Sequence, residues 1–305
     1  MNKVIILFIF FVSILTVDAQ EVTFLKLKQA FKYENSKNVP EFSGLCLKDG
    51  SLYSVNDKES NFLYKVSVDT LNSTFTADGT LISTGKDFEG ICYYQNSFFV
   101  VEERECRLYK ISNNTAIAYG ARFLESLKSE NIIETGEGGN SQIESIAMLS
   151  DSTFLIATER GITALANINY SGKILSKTLI SPLHYNDYYL PSSLAKQYIN
   201  VKDANSFSDL CIFEEKAYLL ERKKKLIHVI DITKDTFVII STLSFKNSIE
   251  NCEEDHEYYG AAEGIAIDGN YIYIILDNNG NGEIERKHMC DKKRRTLFQF
   301  YNSNY

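Results

Sequence analysis

Phe42-Ser43-Gly44-Leu45-Cys46 returns along the chain as Phe88-Glu89-Gly90-Ile91-Cys92, Ile143-Glu144-Ser145-Ile146-Ala147, Phe207-Ser208-Asp209-Leu210-Cys211 and Ala262-Glu263-Gly264-Ile265-Ala266. Each copy runs from an apolar residue through Glu or Ser, then a small or turn-forming residue, into a strand-like pair. A turn signal follows, such as Lys48-Asp49-Gly50, Gln95-Asn96-Ser97 or Asp268-Gly269-Asn270. Next comes a dense apolar run: Leu52-Tyr53-Ser54-Val55, Phe98-Phe99-Val100-Val101, Phe154-Leu155-Ile156-Ala157, Ala217-Tyr218-Leu219-Leu220, and Tyr271 to Leu276. Runs of this length without polar alternation read as strands buried on both faces. Two such strands across a tight turn make a hairpin.

A second regularity stands in register with the first. An acidic residue lies 13 to 15 positions after the Glu or Ser: Asp57, Glu103, Glu159, Glu221 and Asp277. The residue after it is Lys58, Arg104, Arg160, Arg222 or Asn278. Further strands follow, as in Phe62-Leu63-Tyr64-Lys65-Val66, Leu108-Tyr109-Lys110-Ile111 and Leu226-Ile227-His228-Val229-Ile230.

The Glu/Ser positions are spaced by 46, 55, 64 and 55 residues. Propeller repeats run to about 40–50 residues, so the widest gap is too short for two. The pattern predicts an all-β fold, a β-propeller of five blades, each a four-stranded antiparallel sheet. A sixth blade stays open should one copy have lost its motif. Val22-Thr23-Phe24-Leu25 or Leu297-Phe298-Gln299-Phe300 is expected to complete the remaining sheet and remove an exposed edge. A β-sandwich also has short, evenly spaced strands, but not a charged motif in register.

Outside the repeat, Met1-Asn2-Lys3 precedes an apolar stretch from Val4 to Val17 and then Asp18-Ala19-Gln20. This predicts a signal peptide over 1–20, and a single propeller domain over 21–305, exported to the periplasm or secreted. The apolar stretch is short for a membrane span. No later segment has 18 consecutive apolar residues, so no membrane span and a soluble monomer are expected. The net charge of -8 argues against nucleic acid as a partner, which needs a basic surface. Six Cys in an exported chain permit disulfides. Cys46, Cys92 and Cys211 share one place in the repeat and read as buried strand residues, whereas Cys252 and Cys290 flank the last copy and are the candidate bridge.

In a propeller the first strand of each blade lines the axis. Its entry and the loop after the second strand share one face. Ser43, Glu89, Glu144, Ser208 and Glu263 would therefore converge at the hub, where three carboxylates repel one another unless protonated or bound to a cation. Oxygen ligands suit a hard ion, and calcium fits best. None of the four His lies in the motif, which disfavours zinc or iron. Gly44, Gly90 and Gly264 permit close backbone approach there. The alternative is that these Glu residues tie blade to blade through backbone amides.

Around the hub, Lys58, Arg104, Arg160 and Arg222 beside Asp57, Glu103, Glu159, Glu221 and Asp277 either bind a small anionic or phosphorylated ligand or pair among themselves. Three further loops enter this face, at Glu134–Asn140, Ser181–Asn205 and Asn251–Tyr259. The first lacks the Lys-Ser/Thr of a phosphate loop, and the last lacks EF-hand spacing. There is no Gly-x-Ser-x-Gly elbow and no His-Glu-x-x-His.

The hub stretches Ser43-Gly44-Leu45, Glu89, Glu144-Ser145, Phe207-Ser208-Asp209 and Glu263-Gly264-Ile265 resemble those of the calcium-activated nucleotidases, the soluble apyrases. The resemblance implies five blades around one axial calcium, held by Ser43, Glu89, Glu144, Ser208 and Glu263. This chain has no Trp, and its channel-lining segments carry single rather than paired Arg residues. Its Glu-Gly-Ile … Glu-Arg cadence is also similar to two exported propeller families, the phytase-like esterases and the SdiA-regulated proteins. Fold kinship does not transfer activity. Three functions stand: a calcium-pinned module binding an anionic ligand at the mouth without catalysis, a calcium-dependent hydrolase of phosphate esters or anhydrides, and a protein-interaction scaffold.

Overall fold

The computed structural model describes residues 22–34, 40–57, 60–130, 132–133, 143–158, 164–179, 206–222, 224–233, 237–250, 262–276 and 295–302. The expected signal peptide, the three mouth loops and the Cys252–Cys290 bridge lie outside these residues.

The described strands follow the repeat. Two amino-terminal strands, β1 (Val22–Phe24) and β2 (Leu27–Tyr33), precede the first copy. That copy gives β3 (Phe42–Lys48), β4 (Ser51–Asn56), β5 (Ser60–Asp69) and β6 (Thr74–Thr84). The second gives β7 (Phe88–Tyr94), β8 (Ser97–Glu102), β9 (Arg107–Ser112) and β10 (Thr115–Ala118). The third gives β11 (Ser145–Met148), β12 (Thr153–Ala157), β13 (Ala164–Asn169) and β14 (Ile174–Leu179). The fourth gives β15 (Phe207–Phe213), β16 (Lys216–Glu221), β17 (Leu226–Asp231) and β18 (Val238–Ser244). The last gives β19 (Ala262–Ile267), β20 (Tyr271–Leu276) and β21 (Arg295–Tyr301). Two short helices, Leu124–Ser129 and Lys246–Glu250, complete the described elements.

Hydrogen bonding groups the strands into four sheets, of five (β1-β18-β17-β16-β15), four (β10-β9-β8-β7), four (β11-β12-β13-β14) and eight strands (β19-β20-β21-β2-β6-β5-β4-β3). Within each copy the strands pair antiparallel in sequence order, as hairpins require. The two halves of the eight-stranded sheet are joined in strand pairing by a short parallel ladder, Lys32↔Thr74 and Tyr33↔Phe75. The turns between first and second strands set this register. Asp49 and Gly50 both have positive φ (49° and 74°), as do Gln95 and Asn96 and even Glu214 and Glu215. That is the two-residue turn whose twist matches flanking strands.

Strands from both ends of the described residues join sheets of other copies, where one had been expected. Leu297–Phe300 pairs with β20 on one side and β2 on the other, while Val22–Phe24 lies parallel to β18 at Thr242–Ser244. The first strands close a ring: β3 packs on β7, β7 on β11, β11 on β15, β15 on β19, and β19 on β3. Between neighbouring sheets sit fully buried aromatics such as Phe42, Phe88, Phe154, Phe207 and Phe298. Sheets radiating from a ring of first strands make this an all-β propeller, with the apolar core between sheets and polar chemistry at the ring's open end.

Candidate metal centre at the mouth

A backbone irregularity aims the motif's second residue. Pairing between first and second strands slips between Ser43 and Cys46, Phe88 and Gly90, Phe207 and Asp209, and Ala262 and Gly264. A bulge leaves one residue out of the ladder and re-aims its side chain. Glu89, Ser208 and Glu263 are the residues released. Close approach of the backbones makes this possible: a Cβ on Gly264 would stand 2.7 Å from the Gly44 carbonyl carbon, and one on Gly44 would stand 2.9 Å from the Ile91 nitrogen.

The five hub residues have distinct partners. Ser43 Oγ donates to Glu89 Oε2 at 3.1 Å. Ser208, fully buried, donates to the Ala262 carbonyl oxygen. Glu263 Oε1 accepts from Arg222 Nη1 at 2.7 Å, with only 12% and 16% of the two side chains exposed. The Glu144 backbone N–H bonds the Ala157 carbonyl at 3.2 Å, which seats its buried side chain at the entry to β11. So the structure unites Ser43 with Glu89, and Glu263 with an arginine, while Ser208 serves as a tie between sheets.

Electrostatics gather the carboxylates into one field. Burial, then the charges of Asp57, Glu103, Asp87 and Glu263, push the Glu89 carboxyl well above the carboxylate range. Burial, then Glu89, do the same to Glu144, against the pull of Arg222. Burial opposes the charge of Arg222, but Glu263, Glu144 and Glu89 outweigh it and hold its guanidinium above the usual range. Such crowding favours protons or a cation.

The second motif is brought in unevenly. Asp57, Asp87 and Glu89 each present one carboxylate oxygen within 4.8 Å of the others, the one such grouping of His, Cys, Asp or Glu among the described residues. Three hard oxygens from two neighbouring copies suit calcium, which needs several oxygens and tolerates flexible geometry. Glu103 is buried beside this group. Arg104 is 70% exposed, and its Nε lies 2.7 Å from Asp87 Oδ2. Arg222 also bonds Ser206 Oγ through Nε at 2.7 Å. Both arginines thus engage the residue just before the first strand of their own copy, a relation the spacing did not reveal. Glu221 is fully buried, bonded to His228 Nε2 at 2.9 Å and paired with Lys224 Nζ at 3.2 Å. Lys58, Glu159, Arg160 and Asp277 lie outside the described residues.

Two acids escaped the sequence reading. Asp87 precedes its motif, and its signal was a polar residue at that place in other copies, such as Glu41 and Ser206. Asp209 was read as a turn former, although three of the four equivalent positions hold Gly. Among the described residues no helix is long and apolar enough to cross a membrane.

A family model described as "Phytase-like: Esterase-like activity of phytase" matches residues 37–280. Among curated proteins, none matches this sequence. Solved structures that align include a Myxococcus xanthus glutaminyl cyclase, at 10% identity and TM-score 0.56, covering 92% of this chain and 97% of that one. A PQQ-bound aldose sugar dehydrogenase from Streptomyces coelicolor aligns at 8% identity and TM-score 0.44, covering 91% and 97%. Both are β-propellers, and at 10% identity the likeness to the cyclase speaks for the fold alone.

Proposed function

The chain belongs to the phytase-like family, and from that premise we propose that it is a calcium-binding propeller whose mouth takes an anionic ligand through the bound ion. One observation carries this reading: the convergence of the Asp57, Asp87 and Glu89 oxygens within 4.8 Å. The Ser43 hydroxyl is bonded to Glu89, and the Glu144 carboxyl shares the same field. A purely acidic mouth would repel anions. Calcium reverses that local field, and Arg104, paired yet largely exposed, can swing to an incoming phosphate or carboxylate.

Five blades, each of four strands, are part of this proposal. The eight-stranded sheet divides naturally at its two-residue parallel ladder. Then β2 serves as the outer strand beside β19, β20 and β21, in one domain spanning 21–305. The basic start and apolar stretch of residues 1–20 support export.

A second reading, calcium-dependent hydrolysis of phosphate esters, is favoured by the family's description. In it the ion polarises a phosphoryl oxygen or activates water. Phosphate release from a panel of phosphate esters, assayed with calcium and with chelator, separates the two. Turnover that needs calcium and falls in Glu89→Gln supports the hydrolase. Calcium-dependent binding without turnover supports the module, and neither activity overturns both.

A further inference from the structure

One place past the hub residues, the motif holds Gly44, Gly90, Ser145, Asp209 and Gly264. The backbones nearly touch at this rung: a Cβ on Gly90 would stand 2.7 Å from the Ser145 Cα. Asp209 is the one long side chain on it, and it is fully buried. Its Oδ2 accepts the backbone N–H of Ile265 at 2.8 Å and of Leu45 at 3.0 Å. β19 follows β15 around the ring, and β3 lies one strand further on. A single carboxylate oxygen therefore ties β15 to its neighbour and to the strand beyond it.

Both N–H groups need this partner. β3 and β19 are the two end strands of their sheet, and an end strand leaves the N–H groups of its outer edge without a ladder. Leu45 also falls within the register slip between Ser43 and Cys46. The oxygen of the same peptide, on Gly44, accepts from Ser54 Oγ at 2.6 Å. Side chains thus pin the Gly44–Leu45 peptide at its oxygen and at its nitrogen. Ser43, the next residue back, donates to Glu89 Oε2 at 3.1 Å. On the other strand, Ile265 lies two residues past Glu263, the partner of Arg222. We infer that Asp209 is a positioning residue of the calcium centre, holding β3 and β19 where Ser43 reaches Glu89 and Glu263 reaches Arg222. The inference rests on the calcium reading of Asp57, Asp87 and Glu89. Asp209 acts through the two backbones and not as a ligand. Without it two buried N–H groups lose their acceptor, and β3 shifts to find another. Ser43 and Glu89 must then be brought back together as calcium binds, which weakens binding. Burial pushes the Asp209 carboxyl well above the usual range, and the Ile265 and Leu45 N–H bonds offset this only in part. A neutral amide is therefore a close substitute.

The test is calorimetric titration of the full-length protein with calcium, at a temperature where melting curves in chelator show each variant folded. Asp209→Ser removes the reach and leaves the residue that the third copy carries at this rung. It should weaken calcium binding about 10-fold, the lower end of what supporting contacts around a metal contribute. Asp209→Gly, the residue of three sister copies, takes its place should the Ser variant not fold. Asp209→Asn keeps an oxygen for both N–H groups and should bind calcium as the wild type does. Phe298→Leu, which loosens the core between sheets, should lower the melting temperature and leave calcium affinity unchanged. Unchanged affinity in Asp209→Ser would overturn the inference and leave the calcium reading standing. So would an equal loss in Asp209→Asn or in Phe298→Leu. A wild type that binds no calcium would overturn both.

Discussion

Replacing Arg222 with Met removes the cation that the mouth supplies for itself. Its guanidinium bonds Glu263 and Ser206 at 2.7 Å each. The pair is largely shielded, with 16% and 12% of the side chains exposed. Removing one member of a fully buried pair costs about 3–5 kcal/mol. The remaining solvent contact argues for the lower end, about 3 kcal/mol. For a domain of this size that is a fall in melting temperature of roughly 6–10 °C. The deficit is electrostatic, so it should shrink at pH 5, where Glu144 and Glu89, whose carboxyls are held above the usual range, are more protonated. Calcium should restore more stability to the variant than to the wild type. Removing Glu263 as well should recover part of the loss, because the two sites are coupled. Thermal and urea denaturation at pH 7 and pH 5, in chelator and in calcium, measure all of these. A deficit at pH 7 below about 1 kcal/mol, the worth of an exposed pair, would refute the reasoning. So would a deficit that is the same at pH 5.

Other consequences follow from the same geometry. Glu89 and Glu144 have raised folded values, so their contribution is fully present below the ordinary value of 4.5 and is lost as pH rises through the folded values. Glu105 has the opposite sign. Its hydrogen bond from Lys86, the largest cause, helps draw it to about 2, so its contribution is present above 4.5 and lost toward that value. Calcium-free protein should therefore be most stable in mild acid, and melting temperatures across pH with chelator check this. Calcium should flatten the decline toward neutral pH. Gly264→Ala places a Cβ 2.7 Å from the Gly44 carbonyl carbon and should cost about 1–3 kcal/mol in urea denaturation, since the hub backbones cannot part freely.

The repeat was legible because each copy must contribute one first strand to the ring. A five-residue motif therefore recurs with its turn and its second strand in register. The recurrence of Glu89, Glu144 and Glu263 at one place in the motif followed from that period. Their partners did not. Ser208 bonds a backbone carbonyl of the neighbouring sheet, a contact that depends on how sheets pack rather than on local spacing. Arg104 was read as binding an anionic ligand or pairing with the motif's own acids, and the structure pairs it with Asp87, a residue outside the quoted motif. Glu221 shares the register of Glu103, yet its own sheet supplies His228 as a partner and draws it inward. The parallel pairing of β1 with β18 joins segments some 220 residues apart and leaves no local signature.

The most direct test of the central claim is the melting temperature of the purified protein in calcium and in chelator, for the wild type and for Glu89→Gln. A ligand at 100 times its dissociation constant adds about 2.7 kcal/mol to the native state, here a rise of roughly 5 °C or more. The account predicts that rise in the wild type and its loss in Glu89→Gln. The variant, freed of a crowded carboxylate, should match or exceed the calcium-free wild type. A wild type indifferent to calcium would contradict the account, as would a variant that responds equally.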